Sequence, residues 1–159
     1  MNLLERLNNP HSFRVLEFDR VRGIVASFAD SAEGRAALAA VEPLADPEHI
    51  TALLAETSEL MNAVRFDDPL PGLTVHDIRD VFPLLKIEGY RLEIEAIAAV
   101  AGNCAIAREV REWFDDRIEK YPLTSGIGRT LVPHRVIEDR VRKAIAPDLT
   151  VADDATPEL

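Results

Sequence analysis

The run from Asp46 to Val64 constrains this chain most. Asp46-Pro47 reads as a helix cap followed by a first-turn proline, where a missing N–H costs nothing. Beyond it Ile50, Leu53, Leu54, Thr57, Leu60, Met61 and Val64 recur at the spacing of one helical face. Glu48, Glu56, Glu59 and Asn62 are left mostly on the solvent side.

The same period governs most of the chain. Val21, Ile24, Val25 and Phe28 share a face, with Asp19 placed to cap the start, and an alanine-rich helix is predicted from Ala32 to Val41, ended by Pro43. Pro69 and Pro71 mark a loop, a short helical stretch from Asp77 to Phe82 leads to Pro83, and Gly89 marks a turn. The segment from Leu92 to Phe114 is apolar nearly all round in its middle, as a helix at the centre of a bundle would be. Tyr121 to Gly128, with Pro122, Gly126 and Gly128, reads as irregular. A last helix is predicted from Pro133 to Ala146, burying Val136 or Ile137, Val141, Ala144 and Ile145. Leu149-Thr150-Val151 is extended in character, half of a short hairpin near residues 148–154 with its partner strand elsewhere. The expected fold class is all-α, a multi-helix antiparallel bundle. Residues 1–147 form the helical domain and 148–159 a linker with the start of one more helix, capped by Thr156 with Pro157 in its first turn.

Composition narrows the function classes. A formal charge of -10 over 159 residues opposes nucleic acid or an anionic membrane unless basic groups cluster. Cys104 is the only cysteine, so an internal disulfide is impossible. Leu3, Leu4 and Leu7 are interrupted by Glu5 and Arg6, too short and polar for a secretory leader, and no apolar run is long enough to span a bilayer. The expected address is cytoplasmic.

Candidate chemistry is sparse. His11, His49, His76 and His134 are scattered without ligand spacing, which argues against zinc. Asp67-Asp68, Asp115-Asp116 and Asp153-Asp154 fall at element ends, where aspartate serves caps and turns. Gly126-Ile127-Gly128-Arg129-Thr130 lacks the third glycine or the Gly-Lys-Ser/Thr ending of phosphate loops and is read as a turn. Cys104, amid alanines, reads as a buried, inert thiol. No catalytic, cofactor or metal residue is assigned. The one candidate nucleic-acid surface is Arg135, Arg140, Arg142 and Lys143, with His134. Spacing also sets Arg135–Asp139, Glu138–Arg142 and Asp139–Lys143 as intrahelical ion pairs, so a salt-laced exposed face is the plainer account.

Several segments, in order, carry a family likeness. They are Val15-Leu16-Glu17-Phe18-Asp19-Arg20-Val21, the Ser31-to-Gly34 turn, Glu42-Pro43-Leu44-Ala45-Asp46 and Glu56-Thr57-Ser58-Glu59-Leu60. Pro71-Gly72-Leu73, Asp77-Ile78-Arg79, Glu88-Gly89-Tyr90-Arg91-Leu92 and Asp153-Asp154-Ala155-Thr156-Pro157-Glu158-Leu159 follow. This order resembles the N-terminal region of the second bacterial MutS paralogue, a MutS-like ATPase with a small nuclease domain at its far end. Tyr90 stands where that family often has a second glycine, and Ser58-Glu59-Leu60 where an acidic residue and alanine usually follow the Glu-Thr pair. The resemblance implies a homodimeric parent that binds ATP and magnesium, carries a nuclease and acts on branched DNA or stalled ribosomes. This region would be its helical core, with Thr156 at the root of a lever arm and the rest of its own chain as its first partner. Two other classes compete: a free-standing helical interaction module and a small helical enzyme, the latter needing a pocket of convergent titratable groups.

Overall fold

Why the chain breaks where it does is clearest at its caps. In the computed structural model, which describes residues 10–72 and 74–152, the Asp46 side chain accepts the Glu48 N–H at 3.1 Å and Pro47 opens a helix to Phe66. Likewise the Ser31 hydroxyl accepts the Gly34 N–H at 2.9 Å and starts a helix at Ala32. The fold is all-α. Its helices are α1 (Pro10–Val15), α2 (Phe18–Ala26), α3 (Ala32–Ala39), α4 (Pro47–Phe66), α5 (Val81–Leu84), α6 (Ile94–Asp115), α7 (Pro122–Gly128) and α8 (Arg135–Ala144). They fall into two units, residues 1–67 and 68–159. The helix start at Thr156 and the Asp153-Asp154 pair lie outside the described residues.

In the first unit α2 packs on α1 and α3. Glu17, held left-handed at φ 50°, separates α1 from α2 and occupies the cap position. Asp19, expected as the cap, lies inside the first turn and pairs with Arg22 at 2.8 Å. The α3 helix ends at Ala39, before Pro43, and the Arg22 guanidinium donates to the Val41 carbonyl at 3.2 Å. The apolar stripe of α4 does not become core: Leu53, Leu54, Leu60, Met61 and Val64 are exposed. Ala63 is the fully buried residue of α4, with Glu56 and Glu59 half-buried beside it, roughly a third of a turn round from the stripe. The Val21, Ile24, Val25 and Phe28 face is exposed as well.

The second unit is organised by α6, which packs against both α7 and α8. Its core is aromatic: Trp113 and Phe114 meet edge to face at 4.9 Å, and Tyr121 stacks on Trp113 at 6.3 Å. Arg117 covers the Trp113 ring at 4.3 Å and also holds Asp68 at 2.8 Å. Three expectations are corrected here. Tyr121–Gly128 is not irregular, because Pro122 starts α7 and the buried Ser125 hydroxyl donates to the Phe114 carbonyl at 3.1 Å, satisfying an acceptor at the end of α6. The predicted Asp77–Phe82 helix shrinks to α5, which contains Pro83 in its single turn. On α8, Val136 and Ile137 are exposed and Glu138 faces inward.

After α8 the chain turns back on itself. Ile145 bridges Val151 in antiparallel fashion, and the Ala146 N–H donates to the Thr150 carbonyl at 2.9 Å. The extended piece therefore finds its partner a few residues upstream, not elsewhere. No described helix is long and apolar enough to cross a membrane.

Gly128 explains how closely α7 seats on α6: a Cβ there would lie 2.8 Å from Phe114 Cδ2, whereas one at Gly126 meets nothing within 4 Å. Gly128→Ala should destabilise the fold by about 1–3 kcal/mol through this overlap. Gly126→Ala should be neutral or stabilising by ~0.5 kcal/mol, since it lies in the same helix and only gains propensity. Urea unfolding of the two variants checks the contrast; equal effects would refute it.

Candidate functional site

Arg108 is the hub of the one dense charge cluster among the described residues. It sits on the α6 face that otherwise carries Ala101, Cys104 and Ala105, so its guanidinium emerges between α6 and α8. All three of its nitrogens are engaged: Nε donates to Glu138 at 2.9 Å, Nη1 to Glu112 at 3.1 Å and Nη2 to Glu109 at 3.1 Å. Glu138 is only 5% exposed, and its carboxylate, with Glu109 and Glu112, holds the Arg108 proton even more firmly than usual. Arg135 reaches the same cluster by pairing with Glu112.

This changes the reading of the basic helix. Of the predicted pairs along α8, Arg135–Asp139, Glu138–Arg142 and Asp139–Lys143 give way to contacts of Arg135 with Glu112 and Glu138 with Arg108, both on α6. Arg142 turns to Asp139, one turn back, at 3.1 Å. A carboxylate turned into the protein is stabilised by a guanidinium that meets it there, and α6 supplies the part-buried Arg108. Of the four candidate contacts, Arg135 and Arg142 are thus occupied by carboxylates, while Arg140 and Lys143 are exposed and have no ion pair among the described residues.

The other singled-out residues scatter. The His76 N–H donates to Asn103 Oδ1 at 2.9 Å, and Asn103 Nδ2 donates to the His76 carbonyl at 2.8 Å. His76 is thus a docking point for its loop, through an asparagine on α6 that sequence reasoning passed over. Asp77 next to it is bonded by the Arg79 side chain and N–H, which lowers its carboxyl to about 2. Asp115 lies 3.4 Å from both Arg111 and Arg129. The Gly126-to-Thr130 stretch forms the end of α7 and the turn after it, with no phosphate-loop geometry. Cys104 is half-buried, not buried, beside an apolar hollow of about 390 Å³ lined by Val81, Phe82, Leu85 and Ile137. Burial, then the negative charge of Glu138, pushes its thiol up. Among the described residues no cluster of three or more His, Cys, Asp or Glu could hold a metal ion.

The fold and its charge cluster define a helical module braced by ion pairs, and the comparisons with known proteins say of which kind. A protein named Endonuclease MutS2 from Pelotomaculum thermopropionicum is 33% identical over 146 residues, 91% of this chain but 18% of that protein. Proteins of the same name from Fusobacterium nucleatum and Alkaliphilus oremlandii are each 28% identical, over 95% of this chain and 19% of their own length. This chain is homologous to a region of MutS2, and spans less than a fifth of the relatives it matches. No protein-family profile matches the chain, and no solved structure matches it significantly.

Two measurements follow from this geometry. Glu138→Ala should cost about 1.5–3 kcal/mol, because it removes the charge-assisted bond between α6 and α8 while Arg108 keeps Glu109 and Glu112; Asp139→Ala, breaking an exposed pair, should cost under about 0.5 kcal/mol. Equal urea midpoints would contradict the assignment. The alkylation rate of Cys104 should keep rising with pH beyond the point where a free cysteine levels off; an early plateau would mean an activated thiolate.

Proposed function

We propose that this chain is the N-terminal helical core and lever root of a MutS-like ATPase, relaying nucleotide state to a clamp that embraces DNA. The parent would be a homodimer that binds ATP and magnesium through residues outside this region and acts on branched DNA or stalled ribosomes. The observation that carries the reading is that nearly the whole chain aligns with under a fifth of each MutS2 relative. The second unit supports it physically: aromatic packing, a part-buried ion pair and a 22-residue helix make a stiff body, suited to transmitting displacement. In this role the chain itself performs no reaction. The two-state element would be the arm that follows it, and the coupling a difference in clamp affinity between nucleotide states.

The test uses the full-length gene product with and without residues 1–155. ATP hydrolysis should persist within a few-fold, while the dependence of branched-DNA affinity on bound nucleotide should disappear. Intact coupling, or a natural gene that stops at Leu159, would remove the idea. The isolated chain should bind duplex DNA weakly at physiological salt, since Arg140 and Lys143 can release about two counterions against a net charge of -10. Tight binding with a steep salt slope in an anisotropy titration would promote the α8 face to a true nucleic-acid surface.

A further inference from the structure

The two units differ in what they bury. In the second, Trp113, Phe114 and Tyr121 form a core. Among the described residues of the first, Ala63 alone is buried, and α4 makes no more than marginal contact with any other described helix. The conformational entropy lost on folding has to be offset by apolar burial, and a unit of this size manages that only with an efficient core. A helix of 20 residues held by its own propensity alone is marginal in water. The first unit lacks the interior that would keep α2 and α4 in place.

Its apolar groups lie on the outside of those two helices. On α4, Leu53, Leu54, Leu60, Met61 and Val64 share one face, with Leu54 62% and Val64 58% exposed. On α2, Val21, Ile24, Val25 and Phe28 do the same, the last 82% exposed. Large apolar side chains gathered on one face mark a contact surface, where scattered ones would not.

Charge, stripe length and chain length point to the occupant. A second copy is disfavoured: the α4 stripe spans about two heptads, short of what a coiled coil needs, and α4 carries Glu48, Glu56 and Glu59 against Arg65 in a chain of net charge -10. More than four-fifths of each MutS2 relative lies outside the matched region. A body joined to this chain through the backbone would be presented to α2 and α4 at high effective concentration.

We infer that the first unit takes its fold only when α2 and α4 dock, by these two faces, on the remainder of a longer MutS-like polypeptide, whereas the second unit folds by itself. This rests on reading the chain as a region of such a protein, and not on the relay role.

Hydrogen exchange of the 159-residue chain and of the full-length gene product tests it. In the 159-residue chain, amides of α2 and α4 should exchange within about tenfold of the unfolded rate; in the full-length protein they should be at least about a hundredfold slower. Amides of α6 should be protected in both. In the full-length protein, Leu54→Asp with Met61→Asp should release α4 and leave α6 protected. Asn62→Asp, which puts the same charge on an exposed position away from the stripe, should change neither. Protection of α4 in the 159-residue chain at every concentration would overturn the inference, because the chain would then cover the stripe itself. Protection that grows with concentration would overturn it in favour of a second copy. Unprotected α4 in the full-length protein, or loss of α6 protection together with α4, would also overturn it. The relay fails separately: nucleotide coupling that survives deletion of residues 1–155 would sink it and leave α4 protection in the undeleted protein untouched.

Discussion

The pairing of Arg108 with Glu138 sets the geometry on which the rest of the second unit depends. A guanidinium on a largely apolar helical face has to be neutralised where it stands, and Glu138 is the carboxylate that α8 can bring there. Turning Glu138 inward fixes the rotation of α8 about its own axis. Val136 is then thrown outward, Ile137 is left at the edge of the apolar hollow, and Arg140 and Lys143 face solvent. The same rotation opens a groove over the alanine face of α6. One ion pair therefore decides which α8 residues turn inward and which face solvent.

The aromatic cluster complements it at the other end of α6. Trp113, Phe114 and Tyr121 are buried together, and Gly128 lets α7 lie directly against Phe114. Together these brace the second unit at both ends of α6. The homology to a region of MutS2 supplies the context in which such a body would have work to do.

Much of this was legible in the residues. Helical period, the Asp46-Pro47 cap, the Ser31 turn and the bulk of Trp113-Phe114 appear as read, and the ordered segments from Val15 to Leu159 pointed to the relatives found. The missed elements share a cause. Tyr121–Gly128 carries two glycines, which lower local helix propensity, yet the contact with Phe114 repays a residue without a side chain. Glu138 was assigned to an intrahelical pair because spacing along one helix is visible in a sequence, whereas a partner thirty residues away is not. The signal available was Arg108 itself, which follows the apolar run of α6, but Glu109 and Glu112 beside it already offered local partners.

Sequence alone settled that the chain is helical, strongly acidic and related to MutS2, because hydrophobic period, charge and motif order are local properties. Only the tertiary structure decided which face of each helix is buried. That choice turns on long-range pairs: Arg108 with Glu138, Asn103 with His76, and Phe114 with Gly128. A periodic pattern permits several rotations of nearly equal apolar burial, and a desolvated charge or a close glycine contact selects one of them.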